Sequence, residues 1–181
     1  MNCWKTVNFS RDYGPQRLFI LSSLTMLLTF IFIYVPAQYL FAAASLSDKH
    51  FLLFLAALLA IYPLHKLLHF LPMIHQRKKI KKELLFKYSI IPVFYVKVNE
   101  PMPKRLFLTA LLTPFVVINC AILLACYSFG QYVHYFTILL AFHMGLCLHD
   151  LICAKNVVSA PNQSYIEESE DGIEILLHTH S

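Results

Sequence analysis

Four stretches of this chain, residues 18–41, 50–71, 106–129 and 131–154, are each apolar over the length of a membrane-crossing helix. About 20 residues rising ~1.5 Å each span the ~30 Å hydrocarbon layer. The first and third stretches contain no Lys, Arg, Asp or Glu, the second contains Lys66, and the fourth contains Asp150. Helices this apolar could instead lie inside a large soluble core, but other helices with polar faces would have to cover them. This sequence has none to spare: only 14% of its 181 residues are charged, against ~25% in soluble domains. The expected fold is therefore an all-α polytopic membrane protein, a single membrane domain over residues 1–181 with about four transmembrane helices and the lipid bilayer as its first partner.

The basic residues set an orientation. Lys5, Arg11 and Arg17 precede the first span, Lys49 alone separates the first two, and none separates the last two. Arg77, Lys78, Lys79, Lys81, Lys82, Lys87, Lys97, Lys104 and Arg105 crowd the central connection. Cytoplasmic loops collect Lys and Arg, so the expected location is the cell membrane with both termini and the 73–105 loop cytoplasmic. The cluster from Arg77 to Lys82 follows a span directly, which favours a headgroup-facing topology anchor over a nucleic-acid patch, and no nucleic-acid partner is expected. Ala42-Ala43-Ala44-Ser45 has the look of a cleavage site, but the run before it is too long for a secretory signal and reads as a retained helix. The five cysteines form no CxxC pair and lie mostly in spans, so no disulfide framework is expected.

Outside the spans, residues 85–98 carry Ile90, Ile91, Val93, Phe94, Tyr95, Val96 and Val98, interrupted by Pro92. That composition favours one or two short strands. In the tail, residues 155–181, apolar alternation on either side of Asp171-Gly172 predicts a hairpin. A small cytoplasmic β-element built from the central loop and the tail follows. His178 and His180 are expected to lie free in solvent.

Ionisable groups inside spans are costly and mark function. His65 and His69 are four residues apart, so both project from one helical face, a spacing that suits two imidazoles on one metal ion. His143, Cys147 and Asp150 share a face of the fourth span, while His149 points sideways from Asp150. Both spans run inward, which lets His65, His69 and Asp150 meet near the cytoplasmic leaflet. Two His and one carboxylate with an open position make a catalytic-type zinc site. The metal-free reading has each histidine bonded to a carbonyl and Asp150 capping a helix or paired with Lys66.

His65-Lys66-Leu67-Leu68-His69 is similar to an HExxH motif with lysine in place of glutamate. Its setting resembles a family of small bacterial multi-pass membrane proteins described as zincin peptidases, with a layout like that of site-2 proteases. Pro92 to Val96, Pro114 in the third span, the stretch from His143 to Asp150 and the Glu170-Asp171-Gly172 tail fit that resemblance, from about His50 to Leu176. It implies His65 and His69 as zinc ligands, Asp150 as the distal carboxylate, and Lys66 at the place of the catalytic glutamate. In an HExxH hydrolase that glutamate accepts the proton of the attacking water. A protonated lysine has no lone pair for it and adds positive charge beside the ion. The expectation is thus a degenerate zinc metallopeptidase, a pseudoenzyme binding a membrane protein or peptide segment. An active metallopeptidase, a transporter or channel subunit, and a structural membrane component are the alternatives. In the metal-free case Lys66 and Asp150 would form a crosslink between spans.

Overall fold

A computed structural model describes residues 2–41, 45–73, 101–169 and 172–177. The chain runs β1 (Asn2–Asn8), α1 (Phe9–Asp12), α2 (Pro15–Leu40), α3 (Phe51–His69), β2 (Met102–Pro103), α4 (Lys104–Ser128), a short 3₁₀ turn, α5 (Val133–Val158), β3 (Ser164–Ser169) and β4 (Gly172–Leu177). The four long helices are each apolar and long enough to cross a membrane. Pro15 opens α2 at its first turn, where its missing N–H costs nothing. Pro36, Pro63 and Pro114 lie inside α2, α3 and α4, a placement that apolar spans tolerate because neighbouring groups re-satisfy the freed carbonyl. α5 is the most buried of the four and packs against α2, α4 and α3, whereas α2 turns most of its surface outward.

Gly145 makes the α2–α5 approach possible, because a Cβ there would collide with the Met26 side chain and lie 3.2 Å from the Ser22 carbonyl oxygen. Thr25 and Thr113 turn their hydroxyls back onto the carbonyls of Leu21 and Thr109. Such back-bonding lets a polar side chain face lipid or a neighbouring helix without an unmet donor.

A four-stranded antiparallel sheet in the order β1-β4-β3-β2 sits at one end of the bundle. Val7, Ile166, Ile173 and Ile175 form its inner face and pack on Phe107, Ala110, Cys153 and Val157 at the helix ends. Lys104 is buried there at 8% exposure, and its ammonium donates to Val158 O at 3.0 Å and to Ala160 O. These carbonyls end α5, where a cation meets the negative end of the helix dipole.

The hairpin expected around Asp171-Gly172 is present as β3 and β4. Among the described residues its partners are β1, an outer strand from Asn2–Asn8 that was not expected, and β2 from the central loop. The N-terminal strand escaped notice because Val7 is its one buried residue, too little to produce a period-two pattern. The strands expected over 85–98, the basic cluster, the alanines at 42–44 and the terminal histidines lie outside the described residues.

The sheet brings β1, β2 and the tail to the same end of the bundle. Gly172 is its tightest point, since a Cβ there would overlap the Val7 carbonyl. Gly172→Ala is expected to cost ~2 kcal/mol by forcing β1 off β4, seen as a lower melting temperature in detergent.

Candidate metal centre

Pro72 disfavours helical geometry in the residue before it, and α3 ends at His69 in a tight turn. That stop leaves His65 and His69 on the last two turns of the helix, beside α5. On α5, His143, Cys147, Asp150 and Cys153 follow one another at offsets of four, three and three, which lines them along one face. His143 and Cys147 have no exposed surface, His65 has 3% and Asp150 has 9%.

The structure brings His65, His69 and Asp150 together. His65 Nε2 lies 3.0 Å from Asp150 Oδ2, and His69 Nε2 lies 3.5 Å from the same oxygen. The two Nε2 atoms are 3.1 Å apart. Beneath them runs a relay. His65 Nδ1 is 3.1 Å from His143 Nε2, and His143 Nδ1 is 2.7 Å from Asn119 Oδ1. Asn119 Nδ2 in turn faces Met144 Sδ at 3.3 Å, an orientation that makes Oδ1 the acceptor for the imidazole.

With all three imidazoles neutral, this network assigns the tautomers. Asn119 Oδ1 accepts from His143 Nδ1–H, which leaves His143 Nε2 a bare lone pair. His65 Nδ1–H donates to that lone pair, so His65 Nε2 is bare as well. On the other ring, His69 Nδ1–H donates to Ala110 O at 3.0 Å, leaving its Nε2 bare. Two nitrogen lone pairs and a carboxylate oxygen therefore converge with no hydrogen between them. Asp150 Oδ2 is buried with no hydrogen-bond partner among the described residues.

A buried acceptor left like this is unfavourable. A proton on one imidazole relieves one pair of atoms, whereas a divalent cation relieves all three at once. The separations of 3.0, 3.1 and 3.5 Å suit the ~3.3 Å edges of a tetrahedron with ~2.0–2.1 Å zinc bonds. Three protein ligands also leave one position open. The residues thus fit a zinc ion, with Ala110 O and the His143–Asn119 relay orienting the two imidazoles, as outer partners of metal-bound histidines do.

Asn119→Leu should weaken zinc binding ~10–100-fold while His65, His69 and Asp150 all remain. Competition against a fluorescent zinc chelator measures it. Unchanged affinity would remove the relay from the site.

Lys66 is absent from the cluster. It is exposed, one position past His65 on α3, and among the described residues no ion pair joins it to Asp150. The crosslink weighed from the sequence is therefore replaced by imidazole–carboxylate contacts. His149 is more than half exposed and packs against Phe9 with the rings tilted and their centres 4.7 Å apart, yet its Nδ1 comes within 3.9 Å of the second carboxylate oxygen, Asp150 Oδ1. Its sideways direction still reaches the carboxylate.

Sequence reasoning missed Asn119, although an amide in a span free of charged residues was a usable signal. It also placed His143 and Cys147 on the right face without giving them a role. A further carboxylate comes from β3. Glu168 shares the inward face of the strand with Ile166, and it pairs with Ile173. Burial pushes its carboxyl up from the ordinary value, while the Lys66 ammonium pulls it back.

No curated protein and no solved structure matches this chain. The sequence profile of a family described as "Putative zincin peptidase" matches residues 58–165. The match holds His65, His69, Asn119, His143, Cys147 and Asp150, and it ends at Tyr165, at the start of the hairpin that the resemblance included. With well over half of its length matched, the chain belongs to this zincin-peptidase family.

Proposed function

We propose that this protein is a multi-pass cell-membrane protein that holds zinc near the cytoplasmic ends of its spans and binds a membrane-protein or peptide segment without cleaving it. The convergence of His65 Nε2, His69 Nε2 and Asp150 Oδ2 with no hydrogen between them carries the metal assignment. The orientation rests on the basic central loop and on the sheet, which gathers both chain ends and β2 at one end of the bundle. Zinc bound there supplies a Lewis acid that polarises a carbonyl oxygen. The chain's own residues orient that ion through Ala110 O and the Asn119 relay. Lys66 stands exposed where the family motif carries its proton acceptor.

Zinc content of the detergent-purified protein tests the first half of this reading, with about one ion per chain expected. Peptide and casein substrates with and without chelator test the second half, and chelator-sensitive cleavage by the natural chain would overturn it. One observation favours a second, hydrolytic reading: Glu168 shares the inward face of β3 with Ile166, which packs in one cluster with Ala110, the residue whose carbonyl holds His69. In that reading the hairpin returns the carboxylate that α3 lacks.

A further inference from the structure

His65 faces two ways. Its Nε2 joins His69 and Asp150, and its Nδ1 joins a second, deeper group. His65 Nδ1 is 3.1 Å from His143 Nε2, and Cys147 Sγ lies 3.4 Å from His143 Nε2 and 3.9 Å from His65 Nδ1. These three side chains are buried, and their ligand atoms lie within 4.8 Å of one another. As hydrogen-bonding groups they are over-supplied with protons. His143 Nε2 offers one lone pair, and both His65 Nδ1–H and the Cys147 thiol face it. A metal ion replaces those two protons at once.

We propose that His65 Nδ1, His143 Nε2 and Cys147 Sγ form a second metal site, built for a soft monovalent ion of the copper(I) class. Thiolate and imidazole donors select copper(I) and zinc over harder ions. Coordination number then separates these two, because structural zinc sites take four protein ligands and this pocket offers three. The buried triad of two nitrogens and one sulfur also suits the low coordination numbers of copper(I), and it leaves no solvent-facing position of the kind the His65–His69–Asp150 group has.

Loading is balanced in atoms and charge. The Cys147 S–H bond breaks, its proton passes to buffer, and a Cu–S bond forms with copper remaining monovalent. The His65 proton moves from Nδ1 to Nε2, from which it donates to Asp150 Oδ2 at 3.0 Å, the oxygen otherwise without a donor. His143 keeps its Nδ1–H on Asn119 throughout. Because His65 then withholds Nε2 from the shallower group, copper and zinc compete for this residue.

The test is an anaerobic titration of the full-length, detergent-purified protein with copper(I) against a colorimetric copper(I) chelator, combined with X-ray absorption at the copper edge. About one tightly held ion per chain is expected, with one sulfur and two nitrogen neighbours. Cys147→Ser should weaken it at least ~100-fold and remove the sulfur signal, and His143→Gln should remove one nitrogen while keeping the sulfur. Cys3→Ser and Cys120→Ser, whose thiols are exposed, should leave binding unchanged. Retained zinc loading shows that Cys147→Ser still folds. Copper binding that survives Cys147→Ser, or a sulfur signal that disappears with Cys3 or Cys120, overturns the proposal. Zinc binding without copper binding removes this site and leaves the function proposed above intact; copper binding without zinc does the reverse.

Discussion

Asp150→Asn is expected to lower zinc affinity by more than ~100-fold and, in the same preparation, to raise the melting temperature of the metal-free protein. The first effect follows from charge. The substitution keeps the shape of the side chain and removes the one formal negative charge among His65, His69 and Asp150. A loss of ~100-fold corresponds to ~2.7 kcal/mol, the upper range for changes that only touch a ligand's neighbours, and a ligand itself contributes more. The second effect follows from the tautomers. Without metal, three acceptors face one another at 3.0–3.5 Å, and an amide supplies the missing N–H. Satisfying a buried acceptor is worth ~1–3 kcal/mol. A protonated histidine paired to the carboxylate predicts the opposite for the metal-free protein, because Asn would break an ion pair. Zinc titration and thermal unfolding with and without chelator read both signs, and a drop in stability of the metal-free Asp150→Asn protein would falsify the tautomer assignment.

Lys66→Glu is the substitution with the largest expected effect on chemistry. It restores the HExxH pattern on α3 and exchanges a proton donor for an acceptor, a change in general-base catalysis worth ~10²–10⁴-fold. The natural chain should show no chelator-sensitive cleavage of a peptide panel, and Lys66→Glu should raise cleavage at least ~100-fold above that background. It should also tighten zinc, because a cation beside the site becomes an anion. Glu168→Gln separates the two readings. If the natural chain is inert, Glu168→Gln changes nothing in cleavage. If the natural chain cleaves and Glu168→Gln abolishes that activity with zinc still bound, the hairpin carboxylate is the base and the inert reading is lost.

Much of this protein is written locally. Apolar runs of span length favour helices because apolar surroundings offer no partner for a free backbone N–H or C=O. The His65–His69 spacing puts two imidazoles on one face through helical geometry alone, and the Asp171-Gly172 signal marks a hairpin from its flanking residues. The hairpin's edge partner was not local. Residues 2–8 become a strand only because β4 presents an unpaired edge to them, and a segment with one buried side chain carries almost no pattern of its own.

The site divides along the same line. The sequence by itself determined which residues sit on which helical face, because the 3.6-residue repeat is a property of the backbone. Only the tertiary structure decided that Asn119 of α4 and Ala110 O set the protons of three histidines, and that Asp150 stands among the imidazoles while Lys66 stays exposed. Those outcomes depend on the rotation of α3, α4 and α5 about their axes. Rotation is settled by packing across helices, with Gly145 admitting α2 and the inner sheet face seated on the helix ends, and no single helix encodes it.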